Sequence, residues 1–175
     1  MGLIIIGAIA ALLVVWSISV WRKLIGMDEN IENAMGQLGV QLSAKFDAMY
    51  ALLDLVKEYA SGETQPLLET LKAKRIVITA VSTPQEVYAQ EEVILEVLKR
   101  VLVLAEKYPE LKTNEEYAKY IGAVDSYEKM VCTSSLIYND SVNRLNRELQ
   151  LFPTSVAGSV LGFHKRDYIE AINIL

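Results

Sequence analysis

The first 21 residues, MGLIIIGAIAALLVVWSISVW, hold no charged side chain, and a run of that length and apolarity constrains everything that follows it. As a helix rising 1.5 Å per residue, about 20 such residues span roughly 30 Å, the thickness of a bilayer's hydrocarbon core. Residues 1–23 are therefore predicted to form a transmembrane anchor in the lipid bilayer. Trp16 and Trp21 fit an aromatic belt at the lipid–water boundary, and Arg22 and Lys23 supply a charged stop. A cleaved signal peptide would carry a basic stretch ahead of a shorter apolar core, and no Lys or Arg precedes this one. Myristoylation at Gly2 is not expected, because Ile6 stands where that motif needs Ser or Thr. With Arg22 and Lys23 just after the span, the positive-inside rule places the N-terminus outside and the main domain in the cytoplasm.

Composition narrows the remainder, residues 24–175. The net charge of −5 argues against nucleic acid as a partner, since phosphate backbones select basic faces. One cysteine, Cys132, excludes an internal disulfide and a multi-cysteine metal site, and it reads as a small apolar filler in a helix. The lone His164 has no second histidine with which to share a metal, so a solvated or hydrogen-bonded imidazole is expected.

Apolar residues recur after the span at Ile31, Met35, Leu38, Leu42, Phe46, Met49, Leu53, Val56 and Ala60, in steps of three and four. That is a helical seam of the coiled-coil kind, and it predicts one rod running on from the span to a stop at Gly62. Pro66 and Pro84 mark two restarts, giving helices over roughly 66–81 and 84–107. Thr83 is the expected cap of the second, with Glu86 at capping-box spacing. The turn YPELKTNEEY offers a further cap at Thr113, three residues before Glu116. A last long helix then follows, with its seam at Tyr117, Ile121, Val124, Glu128, Val131, Ser135, Tyr138, Val142, Leu145 and Leu149. No alternating strand pattern occurs. The fold class is all-α: an N-terminal transmembrane helix continuous with a long antiparallel helical bundle. The stretch FPTSVAGSVLGFHKRDYIEA ends the last rod, permits a short helix between Ser155 and Gly162, and leaves a tail. That tail suits either a return onto the bundle or contact with anionic headgroups.

Taken together, VQLSAKFDAMYALLDLVKEYA, AEKYPELKTNEEY, YNDSVNRLN and FPTSVAGSVLGFHKRDYIEA resemble the LemA family of bacterial membrane proteins, in order from about residue 24 to residue 171. The resemblance implies a single N-terminal span in a bacterial inner membrane and an elongated, largely antiparallel helical domain. It implies no reaction and no cofactor.

Two groups of residues stand out as candidate sites. Glu128 sits on an inward face, where a carboxylate with a raised pKa could work with Asp47, Arg75 and Tyr138; the simpler reading is a buried ion pair with Arg75 that sets helix register. Gly36, Gly39 and Ser43 cluster on the side of the first helix opposite its Leu38/Leu42 seam. They form either a solvated face or a flat strip against which another helix packs closely, from the same bundle or a neighbouring subunit, and as such a strip they are expected to serve self-association. Gly7 and Ala11 make a small-xxx-small pair within the span. No phosphate loop, paired metal-binding helix motif or Ser/His or Cys/His arrangement is present. The expected function is thus a membrane-anchored scaffold that self-assembles as a homo-oligomer and binds other envelope proteins, without catalysis. A small-ligand sensor or a hydrolase built on Glu128 is the alternative.

Overall fold

The computed structural model of the chain describes residues 1–170. The predicted tail runs on to residue 175, and its last five positions lie outside the described residues. Among those described, the chain is helical with no strand. α1 spans Gly2–Val56 without a break, 55 residues that join the apolar run directly to the bundle. It is the one described helix long and apolar enough to cross a membrane, and hardly any of its apolar window is buried within the chain.

α1 ends at Val56 rather than at Gly62. The Val56 carbonyl accepts from both Tyr59 N–H and Ala60 N–H at 3.0 Å, and the chain reverses there so that buried Ala60 leads into α2 (Ser61–Ala73). Gly62 and Pro66 both lie inside α2, so neither punctuates the fold as expected. The predicted helix over 66–81 also stops short: residues 75–79 are extended. Ile76, Val77, Ile78 and Thr79 are β-branched in succession, which crowds a helix but suits an extended chain. Tertiary packing then holds the segment in place, with buried Ile78 laid against Gly39 of α1.

α3 spans Pro84–Lys107 and starts as the sequence indicates. Thr83 N–H donates to Glu86 Oε2 at 2.7 Å, and Glu86 N–H donates to Thr83 Oγ1 at 3.3 Å. A single turn, α4 (Pro109–Lys112), leads to α5 (Glu115–Glu148). The cap of α5 is Asn114, one residue beyond the expected Thr113. Asn114 Oδ1 accepts from Glu116 N–H at 2.8 Å and Tyr117 N–H at 3.2 Å, while Thr113 turns back to donate to the Glu110 carbonyl. An asparagine amide oxygen caps a helix as well as a capping-box hydroxyl does.

α5 returns antiparallel along α1, and Lys23–Glu148 at 2.7 Å fastens its end to the base of the bundle, where the apolar run ends. The core follows the expected seams: Leu38, Leu42, Met49 and Val56 of α1 face Val124, Val131, Val142 and Leu145 of α5, with Ile94, Val97 and Val101 of α3 closing the distal half. α6 (Thr154–Val160) then crosses the base, and residues 163–170 run back along α5 as an extended tail.

Candidate functional site

Among the described residues, the interior holds a charged cluster assembled from three helices at one level. On α1 a second heptad row, Leu38, Leu42, Lys45, Met49, Leu52 and Val56, carries a lysine among fully buried apolar residues. On α3 Glu91 lies between Val87 and Ile94, and on α5 Glu128 lies between Val124 and Val131. The Lys45 ammonium bridges Glu91 Oε2 and Glu128 Oε2. Lys45 and Glu91 are 4% and 6% exposed at the side chain, against 17% for Glu128, so the cluster opens to solvent only on the α5 side.

Glu128 therefore has a buried cationic partner, but it is Lys45 and not the expected Arg75. Arg75 follows the end of α2, where the extended chain passes the outer side of α1. Its guanidinium donates to Ser43 Oγ at 3.1 Å, meets Asp47 at 3.2 Å and lies 4.5 Å from the centre of the Phe46 ring. Asp47 accordingly belongs to this surface group and Tyr138 to the tail described below; neither joins Glu128. The signal for Lys45 was present in the sequence. Steps of four, three, four, three and four from Leu38 to Val56 pass through it as regularly as the neighbouring row passes through Phe46.

Two carboxylates around one ammonium leave the cluster formally one charge negative. Burial pushes the Glu91 carboxyl above the ordinary carboxylate range, the nearby Lys45 charge and hydrogen bond oppose that, and the Glu128 carboxylate adds to it. Glu91 Oε1 has no hydrogen-bond partner, and neither has the buried Gln90 Nε2 beside it in sequence. Gln90 Oε1, by contrast, accepts from Ile76 N–H and so ties the start of the extended segment to α3. Among the described residues no three His, Cys, Asp or Glu side chains converge as metal ligands.

The Gly36/Gly39/Ser43 strip is a close-approach surface, but the chain's own extended segment occupies it. A Cβ on Gly39 would fall 2.2 Å from the Ile78 carbonyl oxygen, and one on Gly36 would meet Ala80 at 3.9 Å. The strip is thus corrected from a self-association face to an internal one. Gly7 has nothing within 4 Å and Ala11 is exposed, so the small pair in the apolar run is open. Trp16, Trp21 and Arg22 are exposed near the base, while Lys23 is engaged with Glu148.

The tail reveals a feature that periodicity did not. Asn139 donates to the Ile169 carbonyl at 2.6 Å and accepts Ile169 N–H at 2.8 Å; Asn146 does the same with Arg166, both at 2.9 Å. The spacings match: seven helical residues rise about 10.5 Å, and three extended residues cover about 10 Å. Each side-chain amide thereby acts as a strand partner for the tail backbone. Tyr138 OH donates to the Asp167 carbonyl at 3.1 Å, Arg166 makes a forked ion pair with Asp28 at 2.8–3.0 Å, and Ile169 is buried. Residues 163–170 thus return onto the bundle, the first of the two arrangements open to them.

A bundle of antiparallel helices growing from one long apolar N-terminal helix, with a largely buried polar cluster, defines a class of helical protein suited to membrane anchoring. More particularly, residues 34–174 match the LemA family model, and the chain belongs to that family. No significant match was found among curated proteins.

Proposed function

We propose that this chain is a membrane-anchored structural protein. α1 crosses a bacterial inner membrane once, with its N-terminus outside, and holds the bundle at the cytoplasmic face as a binding platform for copies of itself and for other envelope proteins. The observation that carries this reading is the unbroken 55-residue α1. Without a flexible linker, any tilt or rotation of the span is transmitted to the bundle as to one rod, which suits a scaffold. The open Gly7/Ala11 pair lets two spans approach closely, and contacts in lipid and in the bundle then reinforce each other through effective concentration. No catalytic role is assigned. Lys45 engages Oε2 of the Glu128 carboxylate, which favours a structural ion pair there over a hydrolytic base.

Two measurements test the proposal. Protease added outside intact cells should leave the bundle untouched, and removal of residues 24–175 would refute the orientation. The particle extracted in mild detergent should have a mass several times that of one chain, and Gly7→Leu with Ala11→Leu should reduce it. A parent that is monomeric at membrane-like density would end the scaffold reading. A second reading, a small-ligand sensor, draws on the unpartnered Glu91 Oε1. It requires a ligand that raises the melting temperature of the parent but not of Glu91→Gln.

A further inference from the structure

We propose that α6 is a second membrane contact, a short helix lying in the lipid headgroup region beside the span. The proposal rests on the anchoring of α1 in lipid. α6 is inverted relative to a helix on a water-facing surface. Thr154 and Gly158 are buried and Ser155 is half-buried, while valines dominate the opposite side, Val156 58% and Val160 82% exposed, with Ser159 as the one exposed polar side chain among them. Phe152, just before it, is 84% exposed, and Leu151 and Leu161 extend the patch at either end. Contiguous apolar surface of this kind on a soluble face is unfavourable, and it marks an interaction site.

The position of α6 identifies the partner as lipid. Lys23 pairs with Glu148 at 2.7 Å, and Glu148 accepts from Thr154 Oγ1 at 3.3 Å, so the start of α6 is fixed to the first charged turn after the apolar run. A Cβ on Gly158 would lie 2.6 Å from Leu149 Cδ2 and 3.8 Å from Leu24 Cδ1, which shows how tightly α6 is pressed onto α5 and α1. Val20, in the last turn of the apolar run, and Leu24 are buried, while Trp21 between them is exposed at the level expected for an aromatic belt. α6 therefore sits within about one helical turn, roughly 5 Å, of the point where the span leaves the hydrocarbon. A bilayer that accepts α1 up to Trp21 reaches α6 with its headgroups and upper acyl chains, the depth at which interfacial helices insert. The exposed cations Arg22 and Lys165 at the same end favour anionic headgroups around that contact. The described part of the tail is directed away from this surface by its two asparagine clamps, so none of the described residues covers the patch.

The test uses the full chain in vesicles of phosphatidylethanolamine and phosphatidylglycerol, with Cys132→Ser as background and an environment-sensitive fluorophore on one new cysteine at a time. The sites are Leu12→Cys in the span, Val160→Cys on α6 and Lys119→Cys at the distal end of α5. Lipids bearing a spin label near the headgroup should quench the probe at 160 and blue-shift it relative to the probe at 119, which should not respond. Quenching at 12 by lipids labelled deep in the acyl chain checks the anchor separately. If the probe at 12 is quenched and that at 160 behaves like that at 119, α1 is anchored and the α6 proposal fails. If the probe at 12 is also unquenched, the anchor reading fails. A blue-shifted but unquenched probe at 160 would mean that protein, not lipid, covers the patch, and would overturn the proposal. Val156→Asp with Val160→Asp alters only outward side chains, and should leave the helical signal unchanged while relieving the quenching of a probe at Leu161→Cys.

Discussion

Residues 75–80 and residues 163–170 both complete the bundle without forming helix, yet they are held by opposite means. The first is held by shape. It fits because α1 has a glycine where the Ile78 carbonyl passes; its backbone N–H groups donate to side chains at Ile76, to Gln90, and at Thr79, to Ser82, and Arg75 reaches Ser43 and Asp47 at its start. The second is held by polar pairing, with two asparagines on α5 satisfying the backbone of Arg166 and Ile169 and one isoleucine plugged into the core. Extended chain laid on helices has unpaired N–H and C=O groups that must find partners or water. The difference shows two solutions: leave most of the backbone exposed and rely on close packing, or supply side-chain amides at strand spacing.

The largest expected effect separates the two through the cluster behind them. Lys45→Met leaves Glu91 without its cation in the interior, and breaking a buried pair costs about 3–5 kcal/mol. Because Gln90 adjoins Glu91, hydrogen exchange should rise first at Ile76 and its neighbours, while the amides of Arg166 and Ile169 keep their protection until global unfolding. Equal loss in both segments would mean that they are not independent. Next in size, Gly39→Val drives side-chain carbon into the Ile78 carbonyl, and overpacking at its upper range is about 3 kcal/mol. Limited proteolysis should then cut within 75–80 and spare the tail.

Ile169→Ala inverts that pattern. Removing a buried isoleucine costs about 2 kcal/mol or more, and the cleavage site should move to 163–170 while 75–80 is spared. Asn139→Ala and Asn146→Ala should each cost about 1–2 kcal/mol, since each leaves a backbone N–H and C=O of the tail unpaired. Asn→Asp restores the acceptor but not the donor and should recover only part of the loss, which exchange rates at Ile169 and Arg166 would measure. The smallest effect is a slope with pH. Burial holds the Glu91 carboxyl above its ordinary range, so the folded chain binds that proton more tightly than the unfolded chain does. Stability should therefore fall as pH rises from about 4.3, the unfolded carboxyl's value, through the raised folded value, and level off above it. Melting curves across that window should show the slope in the parent and not in Glu91→Gln.

How much of this was legible depended on the range of the interaction that decided it. The capping box at Thr83 and Glu86 was readable because its partners are three residues apart. The α5 seam was readable because seven of its ten positions are buried, Ile121, Glu128 and Leu149 being partly so. Asn114 was missed in favour of Thr113 because both residues are good caps and only the turn of α4 selects between them. Gly62 and Pro66 were misleading as boundaries because the reversal at Ala60 is set by α2 folding back onto α1. The candidate site was half legible: Glu128 stood out as a charge on an apolar row, and Lys45 met the same criterion on a second row of α1.

By itself the sequence determined the apolar N-terminal helix, its continuity into a heptad-patterned rod, the all-helical class and the presence of a charge inside the core. These follow from side-chain periodicity and local capping, which act within a few turns of one helix. The tertiary structure decided which cation meets Glu128, what lies on Gly39, and where the tail goes. Each of those choices is made between segments far apart in the chain, among several chemically competent candidates, and packing geometry alone ranks them. Arg75 and Lys45 carry the same charge, but only Lys45 projects from the face of α1 that meets α3 and α5 at one level.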